Sequence, residues 1–144
     1  MKKKMDNKGF SLVELIIVIA IMLVLVGILA PQFVKYVARS RQAADVTNAQ
    51  EIAAAIDAVT ADGTHASVSF TPAGGTATAL SATTTLKAGD AVTGLPGFTK
   101  VPTSKVNASY DWVVSWTAED GVTKITLGGV EVYPDASAYP PTTP

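Results

Sequence analysis

The chain has 144 residues, with 11 basic and 12 acidic side chains, a net charge of −1 and no cysteine. So few and scattered cations do not make a non-specific nucleic-acid surface, and a disulfide framework is excluded. Once a long apolar run near the front is set aside, about 110 residues remain, enough for one modest core and too few for two.

The front carries Lys2, Lys3, Lys4 and Lys8 against Asp6, and Gly9-Phe10-Ser11-Leu12-Val13-Glu14-Leu15 follows. From Leu15 to Ala30 there is no polar side chain. Counting back to Phe10 gives 21 residues, enough helix to cross roughly 30 Å of hydrocarbon. Glu14 is the exception in this stretch. A charged side chain costs about 2.5 to 3.5 kcal/mol at mid-bilayer and less towards the ends, so an intramembrane acid normally has a partner or a task. A secretory signal has a shorter apolar core, about 7 to 15 residues, and a plain membrane anchor leaves Glu14 unexplained. Lys35, Arg39 and Arg41 beyond the run weaken any orientation signal from charge bias. Gly27 lowers helix propensity and Pro31 removes a backbone donor, so this turn is a natural place for bending or local melting.

Helical spacing continues past Pro31, because Phe33, Val37, Ala38, Ala49, Ile52, Ala53, Ile56 and Val59 recur three and four apart up to Asp62-Gly63. The second half is amphipathic: Arg39, Arg41, Asn48, Glu51 and Asp57 are expected in solvent, while Ile52, Ile56 and Val59 need cover. Residues 63–109 read as an Ala/Thr/Gly-rich connector. Ten of the fifteen residues from Thr71 to Thr85 are Thr or Ala, and Val68 and Phe70 allow one short strand. Residues 110–133 predict an antiparallel meander, with Tyr110, Trp112, Val114 and Trp116 on one face and turns at Glu119-Asp120-Gly121 and Gly128-Gly129. That face, with Ile125 or Leu127 and Val130 or Val132, is expected to cover the helix stripe. Pro134, Pro140, Pro141 and Pro144 make 134–144 a tail that cannot continue a sheet. The predicted class is α+β, a long amino-terminal helix packed on a small antiparallel sheet of about three to four strands.

The basic leader ending at Gly9, Phe10 after it, Glu14 four residues on, the unbroken apolar run and Pro31 together resemble a type IV prepilin. The resemblance covers the leader and the helical stretch and implies the pilin-like fold. It implies that residues 1–9 are a leader cut off by a prepilin peptidase between Gly9 and Phe10, and that the new amine of Phe10 is methylated. It further implies that 10–31 form a membrane helix that becomes filament core, that 32–62 extend it, and that the helix loosens near Pro31 with Gly27 beside it. Glu14 would attract the Phe10 amine of an adjacent subunit and set axial register. Such a chain is a structural subunit of an extracellular type IV pilus, a homo-oligomeric helical filament, and not an enzyme. It starts as a single-pass precursor in the cytoplasmic membrane, amino terminus in the cytoplasm, and is assembled by inner-membrane machinery without a cofactor or direct nucleic-acid contact. Removing the leader takes away four lysines and one aspartate, leaving 7 basic against 11 acidic side chains, a charge of −4. Many relatives of double-membraned bacteria carry a carboxyl-terminal cysteine pair, which this chain lacks. A pseudopilin of a type II secretion or competence system shares the same amino terminus, and a membrane-tethered binding module is the alternative of a different class.

No other feature carries chemistry. His65 is the only histidine and has no cysteine beside it, so neither metal nor catalytic work is expected of it. Asp111, Glu119, Asp120, Glu131 and Asp135 lack regular calcium-ligand spacing and read as solvated edge and turn carboxylates. Phe33 and Tyr36 read as interfacial anchors or packing residues. Asn107-Ala108-Ser109 fits a glycosylation sequon, a pattern short enough to recur by chance. No nucleophile and base pair, phosphate loop or cofactor motif is visible.

Overall fold

The computed structural model describes residues 9–72 and 74–139. The leader up to Lys8 and the tail prolines Pro140, Pro141 and Pro144 lie outside the described residues. Helix α1 (Leu12–Ala61) is followed by a 3-10 turn (His65–Ser67) and seven strands: β1 (Ser69–Thr71), β2 (Thr78–Ala79), β3 (Thr83–Leu86), β4 (Ala91–Thr93), β5 (Trp112–Thr117), β6 (Gly121–Leu127) and β7 (Val130–Tyr133). The chain divides into two compact units, one up to Val37 and one from Ala38 onward.

In the first unit α1 is apolar on every side. No large apolar side chain between Phe10 and Leu29 is less than 47% exposed, and the mean hydropathy of the best window reaches 3.2. A helix of this kind needs an apolar surrounding, either lipid or other helices. The helix is continuous through Gly27 and Pro31.

In the second unit α1 turns one stripe to the core. Ala49, Ile52, Ala53, Ile56 and Val59 are buried and share a cluster with Trp112, Val114 and Trp116 of β5, Ile125 and Leu127 of β6, and Val132 of β7. Each large side chain removed from water here stabilises the fold by about 1.5 to 3 kcal/mol. The helix stops at a Schellman motif, with Gly63 N–H on the Thr60 carbonyl at 3.1 Å and Thr64 N–H on that of Val59 at 2.9 Å.

The larger sheet has the order β3-β5-β6-β7 and is antiparallel throughout. Its last three strands are the expected meander, joined at the end by the two-residue Gly128-Gly129 turn. Burial alternates strictly along Trp112, Val114 and Trp116. On β6 the expected choice between Ile125 and Leu127 does not arise, since both are buried. Val122 is buried as well, because the register shifts opposite Ser115 and Trp116; the extra residue resets which side chains face inward. Strand β5 begins at Trp112 rather than Tyr110, whose ring instead covers Gly128 so closely that a Cβ there would lie 2.8 Å from it.

The stretch 63–109, expected as a connector with one short strand, is the main correction. It holds the 3-10 turn and four strands. Strands β2-β1-β4 form a second small sheet whose Val68, Phe70, Val92, Leu95 and Val101 neighbourhood extends the core, and β3 becomes the outer strand of the larger sheet. Thr is β-branched and fits a pleated surface, and Thr84 and Leu86 point inward while Thr83 and Thr85 point out. Asp57 also departs from expectation. It is half-buried and accepts the Val122 N–H at 2.7 Å, fastening the start of β6 to α1.

Candidate functional site

The predicted residues Gly9, Phe10 and Glu14 are brought together with Ser11 around one open hollow at the start of α1. Ser11 N–H donates to Glu14 Oε2 at 2.9 Å, and Ser11 Oγ accepts the Val13 N–H at 3.3 Å. This is a capping box: the serine caps forward and the glutamate reaches back. It provides acceptors for two amides in a part of the helix that lacks partners within the helix itself. An unsatisfied amide costs several kcal/mol in hydrocarbon, so a cap of this kind weighs more in an apolar surrounding than at a wet surface. The carboxylate also lies at the positive end of the helix dipole. Glu14 is therefore drawn back towards Phe10 rather than out along the apolar wall. Gly27 and Pro31 lie farther along the helix and take no part in this group.

Sequence reasoning overlooked Ser11, although Ser-x-x-Glu ahead of an apolar run is a recognised capping signal. It also overlooked Asp45. That carboxylate is fully buried, no cation among the described residues pairs with it, and four donors converge on it. Oδ1 accepts the Lys105 N–H at 2.6 Å; Oδ2 accepts Ser104 Oγ at 2.7 Å, Val106 N–H at 3.1 Å and Tyr139 Oη at 2.7 Å. Tyr139 is itself buried, so the predicted tail is docked at least as far as this residue. Burial first, and then its hydrogen bond to Asp45, pushes the Tyr139 hydroxyl well above the usual tyrosine range. The cluster is a closed set of hydrogen bonds, since Ser104 Oγ in turn accepts the Asn107 N–H at 3.1 Å.

The remaining candidates fall into local roles. His65 packs its ring on Trp116 with centroids 5.2 Å apart. Glu131 pairs with Lys124 at 3.0 Å, Asp120 accepts from Thr117 Oγ1 at 3.3 Å, and Asp135 accepts the Ser137 N–H at 2.9 Å. Among the described residues no three His, Asp or Glu side chains are placed to hold a metal ion. Asn107 is exposed, its Oδ1 taking the Ser109 N–H and hydroxyl at 3.0 and 2.7 Å. Phe33 and Tyr36 are exposed.

Comparison with known proteins singles out the same end of the chain. The family described as the prokaryotic N-terminal methylation motif matches residues 4–30. Over 42 residues, 29% of this chain, there is 50% identity to the type IV major pilin protein PilA of Myxococcus xanthus (strain DK1622), of which the match covers 19%. Over 64 residues, 44% of this chain, there is 38% identity to the type IV major fimbrial protein FimA of Dichelobacter nodosus, of which it covers 41%. The chain thus aligns with less than half the length of these curated relatives. No solved structure matches it. With the methylation motif, the pilin-like amino terminus and an α+β fold of one long helix and antiparallel sheets in place, this chain is similar to type IV prepilins.

Proposed function

We propose that the mature chain is a structural subunit of an extracellular type IV pilus, with no catalysis and no cofactor of its own. The observation that carries the reading is Glu14 held at the head of a helix whose next sixteen residues, Leu15 to Ala30, bear no polar side chain. The precursor resides in the cytoplasmic membrane with its amino terminus in the cytoplasm. A prepilin peptidase cuts between Gly9 and Phe10 and the Phe10 amine is methylated. Inner-membrane machinery then moves the subunit into a homo-oligomeric filament. About 20 apolar residues can leave lipid only if another apolar phase receives them, and the bundled helices of neighbouring subunits supply it. Local loosening near Gly27 and Pro31 lets the helices accommodate one another in that bundle.

The Phe10 amine of one subunit meets the Glu14 carboxylate of the next. Such a buried pair adds little net stability, but a misaligned register leaves each charge alone at a cost of several kcal/mol, so the pair selects register. Methylation keeps the charge that this requires. The experiment is electron microscopy of surface fibres with mass spectrometry of their main component. The expected result is a fibre subunit starting at methylated Phe10; material that is permanently monomeric and retains Met1 overturns the reading and favours a tethered binding module.

A further inference from the structure

Resting on this pilin reading, we propose that Ser11 is a positioning residue for assembly. It holds the Glu14 carboxylate at the helix head so that one oxygen serves the chain's own helix and the other remains open to the neighbouring subunit's amine. The bonds divide the carboxylate in this way. Oε2 takes the Ser11 N–H at 2.9 Å, while Oε1 takes no hydrogen bond from any described residue. Ser11 Oγ, bonded to the Val13 N–H at 3.3 Å, fixes the first turn so that the Ser11 amide points back at Glu14.

A glutamate has three rotatable side-chain bonds, and in lipid an uncapped carboxylate would bend towards the nearest polar zone instead of staying on the helix axis. The cap removes that freedom before the partner arrives. Cap and ion pair are therefore not rivals for the same lone pairs, since an ionised carboxylate offers about four acceptor sites. Glutamine at 14 separates the two functions, because it can complete a capping box but carries no charge. Alanine there would remove both at once.

The test is a double-mutant cycle read as competitive incorporation. Tagged full-length variants are co-expressed with the unaltered chain, and their share of purified fibres is divided by their share of trimmed subunit in the membrane. Ser11→Ala is expected to lower incorporation about fivefold, the factor that goes with losing a typical cap, and Ser11→Thr to restore it. In a Glu14→Gln background the same Ser11→Ala change is expected to have no further effect, because no charge is left to position. An equal fall in both backgrounds means that Ser11 merely caps the helix and overturns the proposal, as does no fall in either. Unaltered incorporation of Glu14→Gln by itself would instead strike at the register pairing, so the two failures are distinguishable.

Discussion

Replacing Asp45 is the most informative perturbation of the globular unit. Alanine leaves two backbone amides, at Lys105 and Val106, and two hydroxyls, of Ser104 and Tyr139, without the acceptor they share. Hydrogen bonds to a charged group contribute about 1.5 to 3 kcal/mol each, but the carboxylate's own desolvation offsets part of the sum and the amides can regain water. A net loss of about 3 to 5 kcal/mol follows for Asp45→Ala. Asn is gentler. With its oxygen in the Oδ2 place it keeps three donors and meets the Lys105 N–H with an N–H, so Asp45→Asn should cost about 2 kcal/mol. Urea unfolding of the full chain in detergent, followed by the fluorescence of Trp112 and Trp116, measures both. Tyr139→Phe completes the set at about 1 kcal/mol, and its cost should shrink in the Asp45→Ala background. A loss below about 1 kcal/mol for Asp45→Ala, or equal losses for Ala and Asn, would refute the argument that converging hydrogen bonds hold this cluster together.

Three further outcomes are expected. Because the folded state holds the Tyr139 hydroxyl above its ordinary value of 10.0, its contribution is complete below that pH and is lost as pH rises towards the folded value, by up to about 1.4 kcal/mol per pH unit. Unfolding at a series of alkaline pH values should therefore show wild type and Tyr139→Phe converging above about pH 10. Gly121→Ala sets a side chain at φ +72° and drives its Cβ into Asp57 Oδ1, so the strain and the weakened bond to the Val122 N–H should cost about 3 kcal/mol by the same assay. A bulky residue in place of Gly9 should block trimming, and intact-mass measurement of the membrane-bound chain should find the leader still attached.

The sequence is most readable where hydropathy contrast is high. The apolar run and its lone acid stand out, and the Trp and Val alternation of β5 against a two-glycine turn announces the meander. The strands β2 to β4 are hidden because inward and outward positions in these Thr- and Ala-rich segments differ little in polarity, so Thr84 looks like Thr83 although only the former is buried. The β6 register shift is a backbone event with no compositional mark. Asp45 lies among Ala, Thr and Gln, where an acid reads as surface; its partners stand 59 to 94 positions later, beyond any window of local pattern. Asp57 was misleading for the same reason, its partner being 65 residues away. Ser11, by contrast, is legible, since Ser-x-x-Glu ahead of an apolar run is a capping signal in its own right.

The span between Asp45 and Tyr139 has a consequence for biosynthesis. Closing so long a loop is entropically slow, so the Tyr139 hydroxyl joins the three donors of residues 104–106 on the acid only after the intervening strands have been made. A chain broken off before Tyr139 cannot complete its interior and presents a loosened domain to proteases.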